Sequence, residues 1–155
     1  MFTITVDNPA ATADFGRSLG RRLAAGDVVC LAGDLGAGKT LLAQGIAAGL
    51  GVIDDVTSPT FTILQVYDGG RLPLNHFDLY RLESAAELDD IGFAEYTGGE
   101  GVAVIEWADK FAAAMPDERL WIEIRDGAGP SERLLALTPA GERYRRLCEE
   151  LRAAC

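Results

Sequence analysis

A lysine followed at once by a threonine closes a glycine-rich stretch, Gly33-Asp34-Leu35-Gly36-Ala37-Gly38-Lys39-Thr40, which satisfies the pattern G-x-x-x-x-G-K-[ST] throughout. Residues of these types at this spacing handle a polyphosphate and a divalent cation. Gly33, Gly36 and Gly38 let the backbone approach a ligand closely and turn where side chains would resist. The amides of the loop and of the first helical turn, Leu41 included, then point inward around the α and β phosphates of a nucleotide. Lys39 sets an ammonium against the β and γ phosphates, and the Thr40 hydroxyl offers an oxygen to Mg2+.

Two carboxylates can complete such a centre. Glu106 follows the apolar run Val102-Ala103-Val104-Ile105, so it stands at the carboxyl end of a buried strand, where open α/β sheets place their ligands. It is expected to act as the Walker-B-type carboxylate near Mg2+ or the attacking water; a solvated strand-end glutamate is the alternative. Asp78 lies in His76-Phe77-Asp78-Leu79-Tyr80-Arg81, where strand geometry sends His76, Asp78 and Tyr80 to one side. It is a candidate to hold a metal-bound water or to sense the γ phosphate. His76 is the only histidine in the chain and cannot build a metal cluster alone. Its expected role is a structural hydrogen bond beside Asp78, with proton transfer second. Trp107 either packs on the nucleotide side of the site or wedges helix against sheet.

Two further segments can border the nucleotide. In Thr57-Ser58-Pro59-Thr60-Phe61, Pro59 fixes its own φ and pushes Ser58 toward extended backbone, making a stiff elbow that carries hydroxyls. Such an elbow can respond to a γ phosphate as a switch segment does, Thr60 foremost, although an ordinary turn has the same composition. Thr12 is expected to cap the first helix, with a place on the rim of the nucleotide pocket as its other role.

These groups require a strand-loop-helix unit and parallel neighbours. Val28-Val29-Cys30-Leu31-Ala32 has strand length and β-branched content, while Leu42, Ile46 and Leu50 recur at helical spacing after the loop. Phe2 to Val6 alternates as a strand, and a helix is expected from about residue 10 or 12 to 25. Phe61–Tyr67 and Leu72–Phe77 flank Asp68-Gly69-Gly70-Arg71, a hairpin signal. A short helix is expected around 85–91, a buried parallel strand at 102–105, and strands at 119–125 and 132–137. Pro139 is expected to open the last helix, whose Arg143, Arg145, Arg146 and Arg152 gather positive charge. The fold class is therefore α/β, with a mixed, mostly parallel sheet flanked by helices in a P-loop NTPase-like arrangement.

The 155 residues fit one domain, 1–155. With 48% hydrophobic and 25% charged residues, the composition is that of a soluble globular chain. No stretch reads as a membrane span or secretory signal, which places the protein in the cytoplasm. Cys30, Cys148 and Cys155 lack metal-ligand spacing and are expected to be free thiols. A formal net charge of -10 disfavours unaided attraction to a nucleic acid backbone. ATP is not excluded, because loop amides, a lysine and Mg2+ can outweigh the long-range field within a small pocket.

Four stretches together, Gly33 to Thr40, Ser58-Pro59-Thr60-Phe61, His76 to Arg81 and Ile105-Glu106-Trp107, resemble in order the motifs of the TsaE (YjeE) family over roughly residues 3 to 125. That family comprises small bacterial P-loop ATPases of tRNA threonylcarbamoyladenosine (t6A) biosynthesis. The resemblance implies that Lys39 and Thr40 bind phosphate and Mg2+, that Thr60 belongs to a switch-like loop, that Asp78 serves hydrolysis, and that Glu106 beside Trp107 is the metal-linked carboxylate. It also implies association with a TsaD-type transferase and its TsaB-type partner, whose repeated turnover ATP hydrolysis supports, with tRNA met only within that complex. A small nucleotide or metabolite kinase would share the loop, but the chain offers Arg71 and Arg81 without an arginine-rich lid. A nucleotide-dependent binding module with negligible turnover is the third reading.

Overall fold

Val28–Gly33 (β2) is the strand from which the rest of the sheet is laid out, since Val28 to Ala32 are all buried and have neighbours on both sides. The computed structural model describes residues 1–34, 38–54, 56 and 63–154. Among these, β1 (Phe2–Val6), α1 (Pro9–Arg22), β2 and α2 (Lys39–Gly49) come first, followed by the hairpin β3 (Leu64–Tyr67) and β4 (Leu74–Asp78). Two short helices, α3 (Ala86–Asp90) and α4 (Phe93–Tyr96), lead to β5 (Val102–Glu106). A 3-10 segment at Ala108–Ala114, β6 (Arg119–Asp126), β7 (Arg133–Ala140) and α5 (Glu142–Ala154) complete the chain.

The described strands form one sheet in the order β1-β7-β6-β2-β5-β4-β3. Its centre, β6-β2-β5-β4, is parallel, and the antiparallel strands β3, β7 and β1 lie outside it. β2 and β5 are near-continuous apolar runs because parallel central strands are covered on both faces. From β2 the chain goes first to the β4–β5 side and only later to β6 on the other side. The carboxyl end of β2 is thus a topological switch point, the usual location of a ligand crevice.

One core packs α1, α2 and α5 on the sheet through residues such as Leu19, Leu42, Ile46 and Leu147. A second lies under α3, α4 and the 3-10 segment, around Phe77, Leu88, Phe93 and Ile105. The α1–α2 contact is made backbone to backbone. A Cβ added to Gly45 would lie 2.6 Å from the Ala13 carbonyl oxygen, and one added to Gly49 would lie 2.3 Å from that of Arg17. Gly16 and Gly20 are equally tight against α2, so no side chain fits in this seam.

At the far end, α5 is fastened to the start of β2. The Val28 amide donates to the Tyr144 hydroxyl at 2.8 Å, and Arg143 donates to both carboxylate oxygens of buried Asp27. Arg145 and Arg146 pair with Glu142, while Arg152 lies over the Phe2 ring, so the arginines of the last helix are engaged within the chain. Cys30 and Cys148 are free and buried, and burial pushes the Cys30 thiol up to about 12.

Two expectations are corrected. Asn8, not Thr12, caps α1: its side chain accepts from the Ala11 amide at 2.8 Å, with Pro9 opening the helix. Pro139 belongs to β7, opposite Leu120, and α5 starts only after Gly141 at φ +107°. The strand tolerates proline there because β1 pairs with β7 only as far as Leu137, leaving the remainder an edge where one missing N–H costs no ladder bond.

Candidate functional site

β2 ends at Gly33, β5 at Glu106 and β4 at Asp78, all at the carboxyl edge of the parallel strands. Gly38, at φ +109°, is the N-cap of α2 and contributes no side-chain cap, so the first-turn amides keep no side-chain acceptor. Such a helix start suits an anion. Lys39, 5% exposed, folds back so that Nζ donates to the carbonyls of Gly33 and Asp34, each at 2.7 Å, and lies 4.0 Å from the centre of the Trp107 ring. Burial lowers the pKa of this ammonium, against the opposing pull of Glu106, Asp109, Asp78 and Asp34. A cation in this setting gains from an arriving polyanion. Leu35, Gly36, Ala37 and the whole elbow with Thr60 lie outside the described residues.

The Thr40 hydroxyl donates to Glu106 Oε1 at 3.0 Å, and His76 Nε2 is hydrogen-bonded to Glu106 Oε2 at 2.5 Å. Glu106 is only 2% exposed and His76 is fully buried. Spending its proton on Glu106 leaves the Thr40 oxygen two lone pairs for a cation. The described residues contain no group of three His, Cys, Asp or Glu side chains able to hold a metal alone. The donor set of one hydroxyl and one carboxylate instead fits Mg2+, which takes few protein ligands and completes its shell with phosphate and water.

Asp78 is the register partner of Glu106, and its Oδ1 accepts from the Tyr80 amide at 3.0 Å. His76 was expected beside Asp78 but bonds Glu106 instead. Its fully buried ring lies one strand repeat behind Asp78 and reaches across to the end of β5. Trp107 adopts φ +59°, the left-handed region that bulky residues avoid, and this turn carries its ring over Lys39 and against Tyr80 at 4.9 Å. Lys110 ties the Tyr80 and Leu82 carbonyls to the 3-10 segment, bracing that turn.

Beside Gly38 and Leu41 is a cavity of about 200 Å³, lined also by Pro9, Thr12, Pro130, Ser131 and Arg133. It brings the start of α1 and the β6–β7 turn to the helix that carries Lys39 and Thr40. Sequence reasoning included Thr12 and Leu41 but missed Pro130, Ser131 and Arg133. Their turn reaches the site only because β6 runs parallel to β2, and no local signal in the chain states that pairing.

Residues 6–134 match the family model described as threonylcarbamoyl adenosine biosynthesis protein TsaE. The chain is 51% identical over 126 residues to the tRNA threonylcarbamoyladenosine biosynthesis protein TsaE of Bacillus subtilis, covering 81% of this chain and 78% of that one. The protein of the same name from Streptomyces coelicolor is 41% identical over 138 residues, with 83% and 93% covered. The crystal structure of Bacillus subtilis YdiB superposes with a TM-score of 0.84 at 40% identity, over 99% of this chain and 95% of that one.

Proposed function

The chain belongs to the TsaE family, and on that premise we propose that it binds ATP with Mg2+ and hydrolyses it as an accessory subunit of the tRNA t6A transferase complex. The observation that carries this reading is the convergence of Lys39 and Thr40, from the first turn of α2, with Glu106 at the end of β5. Lys39 exchanges the Gly33 and Asp34 carbonyls for β and γ phosphate oxygens, and the loop amides from Gly33 to Gly38 hold the rest of the chain of phosphates. Mg2+, held by Thr40 and Glu106, would supply the positive charge that stabilises the leaving phosphate. Thr40 gives that ion an oxygen ligand while Glu106 orients Thr40 and draws on the metal or the attacking water. Asp78, next to Glu106, orients a water, and Thr60 belongs to the switch-like segment that senses the γ phosphate.

The cavity at Thr12, Leu41 and Arg133 receives the nucleoside end, and Trp107 covers the phosphate lysine. The RNA chemistry belongs to a TsaD-type transferase with its TsaB-type partner. A chain of net charge -10 contacts tRNA only within that complex. No helix of the described residues is long and apolar enough to cross a membrane, in keeping with work in the cytoplasm.

The test reconstitutes the transferase, its partner, a threonylcarbamoyl-adenylate supply and tRNA, and counts modified tRNA per transferase. Multiple turnovers are expected with the wild type and not with Lys39→Ala, Glu106→Ala or the protein omitted. In calorimetry and phosphate release, Glu106→Ala should keep ATP and lose at least about 100-fold in hydrolysis. Equal cycling by a Glu106 variant that cannot hydrolyse ATP would sink the ATPase-driven role.

A further inference from the structure

Glu106 is gripped on both oxygens, but the two grips differ in kind. Thr40 holds Oε1 from the helix that must meet the ligand, whereas His76 holds Oε2 from inside the sheet, at 2.5 Å and with no exposure to solvent. His76 Nδ1 is the one buried side-chain nitrogen or oxygen of the described residues without a hydrogen-bond partner. A proton on Nδ1 would leave a buried donor unsatisfied, so the ring proton belongs on Nε2, where Glu106 accepts it. We infer that His76 is the positioning residue of the site: through Nε2–H it anchors the Glu106 carboxylate by Oε2, and so turns Oε1 to Thr40 and the metal side.

This inference rests on the ATPase reading for its consequence, though not for its geometry. The strand neighbours explain why the arrangement holds. His76 pairs with Val104 on β5, two residues before Glu106, and with Gln65 on β3, which fixes its backbone, and full burial confines the ring. A glutamate at a strand end has free side-chain torsions and samples several rotamers. One fixed donor on Oε2 removes that freedom before any nucleotide arrives, and such preorganisation lowers the reorganisation required at the reaction step. His76 touches neither phosphate nor metal in this scheme.

The experiment compares wild type, His76→Leu, which deletes the donor, and His76→Gln, whose amide N–H can stand near the position of Nε2. Thermal melts, ATP affinity with and without Mg2+ by calorimetry, and steady-state hydrolysis are read for each. His76→Leu should lose about 10- to 100-fold in kcat with KM for ATP at saturating Mg2+ within about twofold, and the Mg2+ concentration needed for half-maximal turnover should rise. His76→Gln should recover most of both. A merely structural histidine would lower the melting temperature and affect kcat and KM alike, without rescue by Gln.

Because the chain has one histidine, long-range 15N NMR of the ligand-free wild type reads its tautomer without ambiguity, even should His76→Leu fail to fold. The Nε2–H form is expected. An Nδ1–H form, or wild-type kcat and Mg2+ dependence in His76→Leu, overturns the positioning role. Absence of ATP binding and turnover in the wild type itself would instead overturn the ATPase reading, and the tautomer would still decide the geometry.

Discussion

Lys39 is held by what it will give up. Its ammonium bonds two carbonyls of its own loop and faces an indole, and burial lowers its pKa ahead of every other influence, while Glu106, Asp109, Asp78 and Asp34 raise it. In the ligand-free protein the unfolded chain therefore holds this proton more tightly than the folded one. The associated stability is lowest while both forms are charged. It rises with pH as the folded-state lysine discharges first, and levels off once the unfolded lysine, ordinarily at 10.5, has discharged too. A polyphosphate acts in the opposite sense because it favours the ammonium. Binding of ATP at alkaline pH, where the folded-state lysine is partly discharged, should consequently take up protons, which calorimetry in buffers of different ionisation enthalpy measures. Lys39→Ala should abolish that uptake and weaken affinity by about 10- to 100-fold, the value of charge-assisted bonds. Unchanged uptake in the variant would remove Lys39 from the phosphate site.

α1 and α2 behave as one element. Their glycine seam joins the helix that begins with Pro9 and Thr12 to the helix that begins with Lys39 and Thr40, so the two walls of the 200 Å³ cavity are set by a backbone contact. Gly45→Ala places a methyl 2.6 Å from a carbonyl oxygen and 3.2 Å from the Ala13 Cα, with backbone rather than side chain in the way. It should cost about 1–3 kcal/mol as overpacking does, despite alanine's better helix propensity. Denaturant melts of an otherwise unchanged chain read this directly; a gain in stability would show that the seam is looser than described. Much of this level was legible beforehand. β2, α2 and β5 announce themselves by apolar runs or helical spacing, and Glu106 follows from being the acid at the end of one such run. The grip of His76 on Glu106 was not legible, because it joins residues 30 apart through the register of β4 on β5. Pro139 misled because proline at a helix start and proline on a strand edge obey the same constraint, the missing N–H. The short α4 and the 3-10 segment have too few residues for periodicity to show.

Over the whole molecule, several cations have assigned acceptors within the chain. Arg71 donates to the carbonyls of Gly20, Arg21 and Leu23 at the end of α1, Arg143 serves Asp27, and Lys110 braces the Tyr80 turn. The formal net charge of -10 disfavours contact with a nucleic acid backbone, in line with the accessory role proposed above. The attachment of α5 extends this beyond the family match, which ends at residue 134. Tyr144 and Arg143 satisfy an amide and a carboxylate at the very start of β2, the strand that leads to Lys39. Trimming the chain after Ala140, by a protease or by an early stop codon, would spare every motif residue and yet take from the Val28 amide its acceptor and from Asp27 its Arg143 partner, together with the buried face of Tyr144, Leu147, Cys148 and Leu151. Each lost partner costs about 1–3 kcal/mol, so the clipped protein should melt earlier and bind ATP less tightly in a thermal-shift titration. Loss of this tail would therefore act at a distance, weakening a site at the opposite end of β2.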